Sequence, residues 1–263
     1  MDPTSRWREL MARPDDQIPL DEAALLIAAH ADPGIDVGAQ LARLDDLAAR
    51  VAPADTDGLC HLVFDVLGLR GDGETYDDPR NSSLPQVLDR RLGIPITLSV
   101  LLIEIGRRRG VALEGVGMPG HFLVRDPARP ELLIDAFSAG RRLDRDQCAG
   151  LLAALAGQPV ELRADMLAAA GPRAILARML ANLDNSFRRR RDQSGRRWAA
   201  RLEAAIPGLP ASRQLALADS LAGLGCPTEA ATLLEAVAGR PGVPPEAARS
   251  LRTRARGLSA PLN

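Results

Sequence analysis

The chain has no lysine: all 33 of its basic residues, set against 34 acidic ones, are arginine. Every side-chain positive charge is therefore a guanidinium, and no side-chain amine is on hand to act as a nucleophile. An excess of either charge is lacking too. The net charge of −1 argues against a protein built to coat nucleic acid. Aromatic residues make up only 3%, so a core must be built from Leu, Ala, Val and Ile. The three cysteines, Cys60, Cys148 and Cys226, are far apart and odd in number. They give neither a C-x-x-C metal spacing nor a disulfide framework. No stretch approaches the run of about 18 apolar residues that a membrane span needs. Residues Met1 to Pro14 are polar and carry no apolar signal segment. These absences predict a cytoplasmic protein with no membrane and no nucleic-acid partner, and they offer no sign of a metal or other cofactor.

What is present is helical at both ends. Leu20 to Ala31 reads as a short apolar helix stopped by Asp32-Pro33-Gly34. Asp36 is placed to cap a second, with Leu41, Leu44, Leu47, Ala48 and Val51 at helical spacing. Pro53 should open a third whose inner face is Leu59, Leu62, Val63, Val66 and Leu67. A long polar loop follows from Gly68 to Ser83, and loops of that length in a compact domain are often functional. Ser83-Leu84-Pro85-Gln86 has the form of a capping box. The strongest helix comes next. Leu98, Leu101, Leu102 and Ile105 form its stripe, Arg107 to Arg109 suit the dipole in its last turn, and Gly110 ends it. A strand over Leu113 to Val116 and a hairpin then predict an antiparallel sheet, before a helix from Leu143 to Leu155. Beyond about Pro159 the pattern is all-helical. Arg188 to Arg191 form a basic run, either a solvated face or a patch for an acidic partner.

Chemistry concentrates in the hairpin. Gly117-Met118-Pro119-Gly120-His121-Phe122-Leu123-Val124-Arg125 turns at Asp126-Pro127-Ala128-Arg129-Pro130 and returns as Glu131-Leu132-Leu133-Ile134-Asp135. Folding about Ala128 sets His121 opposite Asp135, Leu123 opposite Leu133 and Arg125 opposite Glu131. A His beside a carboxylate is the base and orienter of a nucleophilic site. The glycines at 117 and 120 suit a close backbone approach to a ligand or a helix. One His and one Asp fall short of a zinc ligand set, so no metal site is expected.

The segments DPRNSSLPQVLDRRLGIPITLSVLLIEIGRRRGV, GVGMPGHFLVR and LLIDAFSAGRRLD together resemble the SirB-type family of transglutaminase-like proteins. The resemblance extends over most of the chain, including the tail segment ILARMLANL. It implies an α+β, transglutaminase-like (papain-like) core with a central helix against a small antiparallel sheet. That core would span residues 52–165, with a helical segment at 1–51 and a helical region at 166–263. In the last of these, SLAGLG and EAATLLEAV resemble one tetratricopeptide-like hairpin, too little for a solenoid. His121 and Asp135 match the second and third members of the superfamily's triad. The nucleophile position falls near Pro95, where the superfamily has cysteine. Thr97 and Ser99 are the nearest hydroxyls, and a hydroxyl needs more activation than a thiol. Asn81, Gly93, Pro95 and Gly120 are candidate binding positions.

Two functions follow from this. One is a non-catalytic binding, scaffolding or regulatory protein that engages a protein or peptide through the cleft or the helical tail. The other is a residual hydrolase or acyltransferase using His121 and Asp135 with Thr97, Ser99 or water.

Overall fold

Short helices fill the N-terminal quarter. The computed structural model describes residues 2–259. Helix α1, Pro3–Met11, starts where the Asp2 carboxylate accepts from Ser5 N–H, and it buries Trp7, Leu10 and Met11 at i, i+3, i+4. Helix α2, Leu20–Ala31, buries an unbroken run from Ala23 to Ala29, as expected of a helix covered on all sides. Helix α3, Val37–Ala49, is capped by Asp36 through Ala39 N–H. Helix α4, Thr56–Cys60, begins later than the proline suggests, because the Asp55 carboxylate caps it at Gly58 N–H. It continues as a wider, π-helical turn over His61–Val66. That turn takes more residues per revolution and rotates the apolar stripe. Val66, expected inside, is 50% exposed as a result.

A two-residue strand β1, Arg70–Gly71, then pairs in parallel with β2, Leu92–Gly93, across helix α5, Leu84–Arg90. The capping box expected at Ser83 does not form. Ser83 N–H is already bonded to Arg80 O, which closes the preceding turn. A box of that kind forms instead at Asp144 and Gln147, at the start of a later helix.

Helix α6, Pro95–Arg109, is the axis of this part of the chain. Every residue from Pro95 to Gly106 is buried, and α2, α3, α4 and α5 all pack against it. Its last turn does more than complement the dipole. Arg107 and Arg108 donate to buried Asp21 at 3.2 and 2.5 Å, and Arg108 Nε donates to Asp45 at 2.7 Å. Both arginines also bond buried Glu104. Burial and the neighbouring Asp21 push that carboxyl up, against the pull of the two guanidiniums. The cluster fastens α2 and α3 to the C-terminal end of α6.

On the other side of α6 lies a five-stranded antiparallel sheet. Its strands are β3 (Glu114–Val116), β4 (Leu123–Arg125), β5 (Leu133–Asp135), β6 (Arg141–Leu143) and β7 (Ala169–Ala170), in the order β6-β5-β4-β3-β7. Helix α7, Arg145–Ala156, returns after β6. The hairpin register differs by two residues from the expected one: Arg125 pairs with Leu133, not with Glu131. Two successive turns fill the connection, closed by Arg129 N–H to Asp126 O and Leu132 N–H to Arg129 O, and they centre it on Arg129. A slip of two leaves every side chain on its original face, whereas a slip of one would not.

The chain divides into two compact units, the first ending at Met179 and the second starting at Leu180, within helix α8, Pro172–Arg189. The second unit is helical. After a break at Arg190–Asp192, α9 (Gln193–Ala204), α10 (Ala211–Gly223), α11 (Pro227–Ala238) and α12 (Pro245–Ser259) pack in sequence. The basic run is partly neutralised, since Arg188 pairs with Asp184, a carboxylate that also takes Arg196. Buried Glu203 takes both fork arms of Arg213, at 2.5 and 2.6 Å. No helix among the described residues is long and apolar enough to cross a membrane.

Candidate functional site

Local backbone geometry brings the His and the Asp together. The chain leaves β3 through a turn closed by His121 N–H to Met118 O, with Gly120 at φ 74°, where a side chain would be strained. His121 thus sits just before β4, and Asp135 is the last residue of β5. In the observed register the two are diagonal neighbours, still within reach of each other. His121 Nε2 lies 2.8 Å from Asp135 Oδ1. The pair is buried, with His121 7% and Asp135 3% exposed.

Asp135 is held from its C-terminal side as well. Phe137 N–H and Ser138 N–H donate to Oδ1 and Ser138 Oγ donates to Oδ2 at 2.7 Å, an Asx-type turn. Burial pushes this carboxyl up, but the bonds from His121 and Ser138 outweigh it and hold it below the usual range. An ionised Asp135 only accepts, so Nε2 is the donor of this bond and Nδ1 is the ring nitrogen left open. Among the described residues Nδ1 has no hydrogen-bond partner.

Aromatic rings border the pair. Phe137 meets His121 edge-on at 6.2 Å between centroids, and Tyr76 meets Phe137 at 5.9 Å. Tyr76 comes from the long loop, which is anchored by buried Asn81. The Asn81 amide donates to Asp72 and to Thr75 O, and it accepts from Arg90 Nη1. Asp72 also accepts from Thr75 N–H and Oγ1; burial opposes ionisation, yet these bonds hold its pKa down to about 2.

The start of α6 holds no nucleophile in reach of the ring. Ile94 stands at its N-cap without a side-chain bond, and Pro95 follows. Thr97 and Ser99 are fully buried, and neither hydroxyl finds a hydrogen-bond partner among the described residues. Gly93 lies in β2 against Val87 and Leu98, and Gly120 is exposed beside Leu155. The cysteines lie elsewhere. Cys148 is in the core, where burial and the charges of Asp144 and Asp135 push its thiol up. Cys60 is half-buried and is also pushed up by burial. Cys226 is buried in the second unit. No group of three or more His, Cys, Asp or Glu among the described residues is arranged to hold a metal. The first unit carries clefts of about 560 Å³ between α2, α6 and β7 and about 800 Å³ beside β5 and α7. His121 and Asp135 line neither.

The family model of the transglutaminase-like superfamily matches residues 37–181, which contain α3 to α6, the whole sheet and the His–Asp pair. The chain belongs to the transglutaminase-like superfamily. Within it, the chain is 36% identical over 218 residues to a UPF0162 protein of Xylella fastidiosa, covering 78% of each. It is 35% identical over 192 residues to a UPF0162 protein of Pseudomonas aeruginosa, covering 70% of this chain and 69% of that one. A shorter match of 136 residues at 34% identity joins it to the mouse F-box only protein 21, covering 48% of this chain and 21% of the other. No solved structure matches. The superfamily fold accounts for a central helix packed on an antiparallel sheet that carries the His and the Asp. Sequence reasoning did not find Ser138, Phe137, Tyr76 or Arg178 beside the pair. Asp-x-x-Ser after β5 was a usable signal for Ser138. Arg178, 57 positions beyond His121, left none.

Proposed function

We propose that this protein is a non-catalytic binding or scaffolding member of the transglutaminase-like superfamily, of the SirB type. One observation carries the reading: the open nitrogen of an oriented His121 meets no thiol or hydroxyl among the described residues, and Pro95 begins the helix where a nucleophile belongs. The thiols give no substitute, since burial pushes Cys60 and Cys148 away from the thiolate. In this reading residues 52–165 present the site, with helices α1 to α3 before it and helices α8 to α12 after it in the chain. The α10–α11 hairpin is a tetratricopeptide-like unit that offers a second surface for a protein or peptide partner. Three unpaired cysteines fit a cytoplasmic, reducing setting. The mouse relative, in which the matched segment is 21% of the chain, is in keeping with a module that works beside other domains.

The test is a panel of acyl donors, amides and esters offered to the wild type and to His121→Ala. No turnover by either protein is expected. Turnover that His121→Ala abolishes would establish the second reading, a residual hydrolase. That reading is favoured by one feature, the ionised Asp135 that still holds the ring as a base would need.

A further inference from the structure

Arg178 reaches the His121 turn from α8. Its Nη1 donates to Met118 O at 3.0 Å and its Nη2 to His121 O at 2.7 Å. Its guanidinium lies over the Phe122 ring, with Cζ 5.5 Å from the centroid. These contacts fix the guanidinium without neutralising it. Among the described residues no carboxylate pairs with Arg178. Two other partly buried arginines of this fold do have one: Arg108 pairs with Asp21, and Arg213 with Glu203. Partial carbonyl charges do not cancel a whole desolvated one, and the unpaired cation remains costly. Burial accordingly draws the Arg178 guanidinium below its ordinary pKa.

The surroundings are apolar and partly open. Tyr76, 44% exposed, lies near enough for the Arg178 charge to oppose the effect of burial on its phenol. Leu155, 50% exposed, borders Gly120 of the turn. Among the described residues the large hydrophobics this exposed are Val66, Tyr76 and Leu155, and two of the three lie near the turn that Arg178 holds. A guanidinium has five N–H donors in a planar fork suited to a carboxylate, and two bonds leave donors to spare.

We propose that Arg178 is the anion-binding element of this site and takes the carboxylate of a ligand with an apolar tail, the free C-terminus of a peptide being the form that fits best. The inference rests on the binding reading given above.

Fluorescence anisotropy with N-terminally labelled Gly-Leu-Phe tests it, comparing the free acid with its C-terminal amide, with hexanoate and inorganic phosphate as competitors. The free acid should bind at least about tenfold tighter than the amide, the gain expected of a charge-assisted fork. Arg178→Lys, which keeps the charge but loses the fork, should remove most of that difference. Tyr76→Ala, which removes apolar surface beside the turn, should weaken acid and amide alike and keep their ratio. Displacement by hexanoate of a bound acid peptide would assign the site to carboxylates in general and still support the role of Arg178. Equal binding of acid and amide, no binding of either, or displacement by phosphate as effective as by hexanoate would overturn it. None of these results depends on turnover, so the anion site and the non-catalytic reading fail separately.

Discussion

Asp135 receives donors from the His121 ring, from two backbone amides and from the Ser138 hydroxyl. Removing it leaves several buried polar groups unpaired. Asp135→Ala should therefore lose about 1–3 kcal/mol in urea unfolding; an unchanged midpoint would contradict that. The carboxylates also set an acid limit. Asp135 and Asp72 both have folded-state pKa values below the unfolded value of about 3.9. Their contribution to stability is complete above that value and drains away as pH falls through the folded values, about 2 for Asp72. The melting temperature should fall between pH about 4 and about 2, and Asp72→Asn should flatten the fall; equal slopes for the variant and the wild type would refute the assignment. The His–Asp pair was legible in the sequence because both residues belong to one hairpin, where alternation fixes faces. Arg178 was not, because it comes from a helix whose pattern announces only its own apolar stripe. Nor was the engagement of Arg107 and Arg108 with Asp21, since a charge at a helix end already has a local reason to be there.

Helix α6 could be read from the spacing of Leu98, Leu101, Leu102 and Ile105 alone, and all four are buried to within 1% of completely. Leu101→Ala should cost about 2–5 kcal/mol, measured by chemical denaturation; a loss below 1 kcal/mol, on the order of a surface change, would argue against the helix as the core axis. The π-helical turn after α4 was invisible, because an insertion of phase changes no residue type. The hairpin shows a different limit. Composition marked Asp126 to Pro130 as a turn, but the second turn at Arg129–Leu132 depends on backbone bonds that composition does not specify. Gly71 shows how tightly the elements meet. A methyl group there would lie 2.5 Å from the Phe137 ring. Gly71→Ala should displace that ring from His121, detectable as a changed His121 ring-proton shift; an unchanged spectrum would mean the contact relaxes elsewhere.

At the scale of the molecule, the sequence showed an α+β core followed by helices, and the structure divides into two compact units. The division inside α8 was not legible, because a continuous helical stripe carries no mark where its neighbours change. The two tryptophans report on the units separately, Trp7 in the first and Trp198 in the second. Arg213→Ala leaves the buried Glu203 carboxylate without its fork, a loss of about 1–3 kcal/mol for a buried group left unpaired. In single-tryptophan variants it should shift the transition seen by Trp198 more than the one seen by Trp7; equal shifts would contradict that. The long loop before α5 has a consequence of its own. It is tied at Gly71 to Phe137 O, at Asp72 to Gly93 O and at Asn81, whose amide oxygen accepts from Arg90 Nη1. A segment held at three points cannot open a part at a time. In deuterated solvent the amides of Gly71, Asp72 and Asn81 should exchange as slowly as those of α6, so that the stretch most like a surface loop in composition keeps its hydrogens as long as the core.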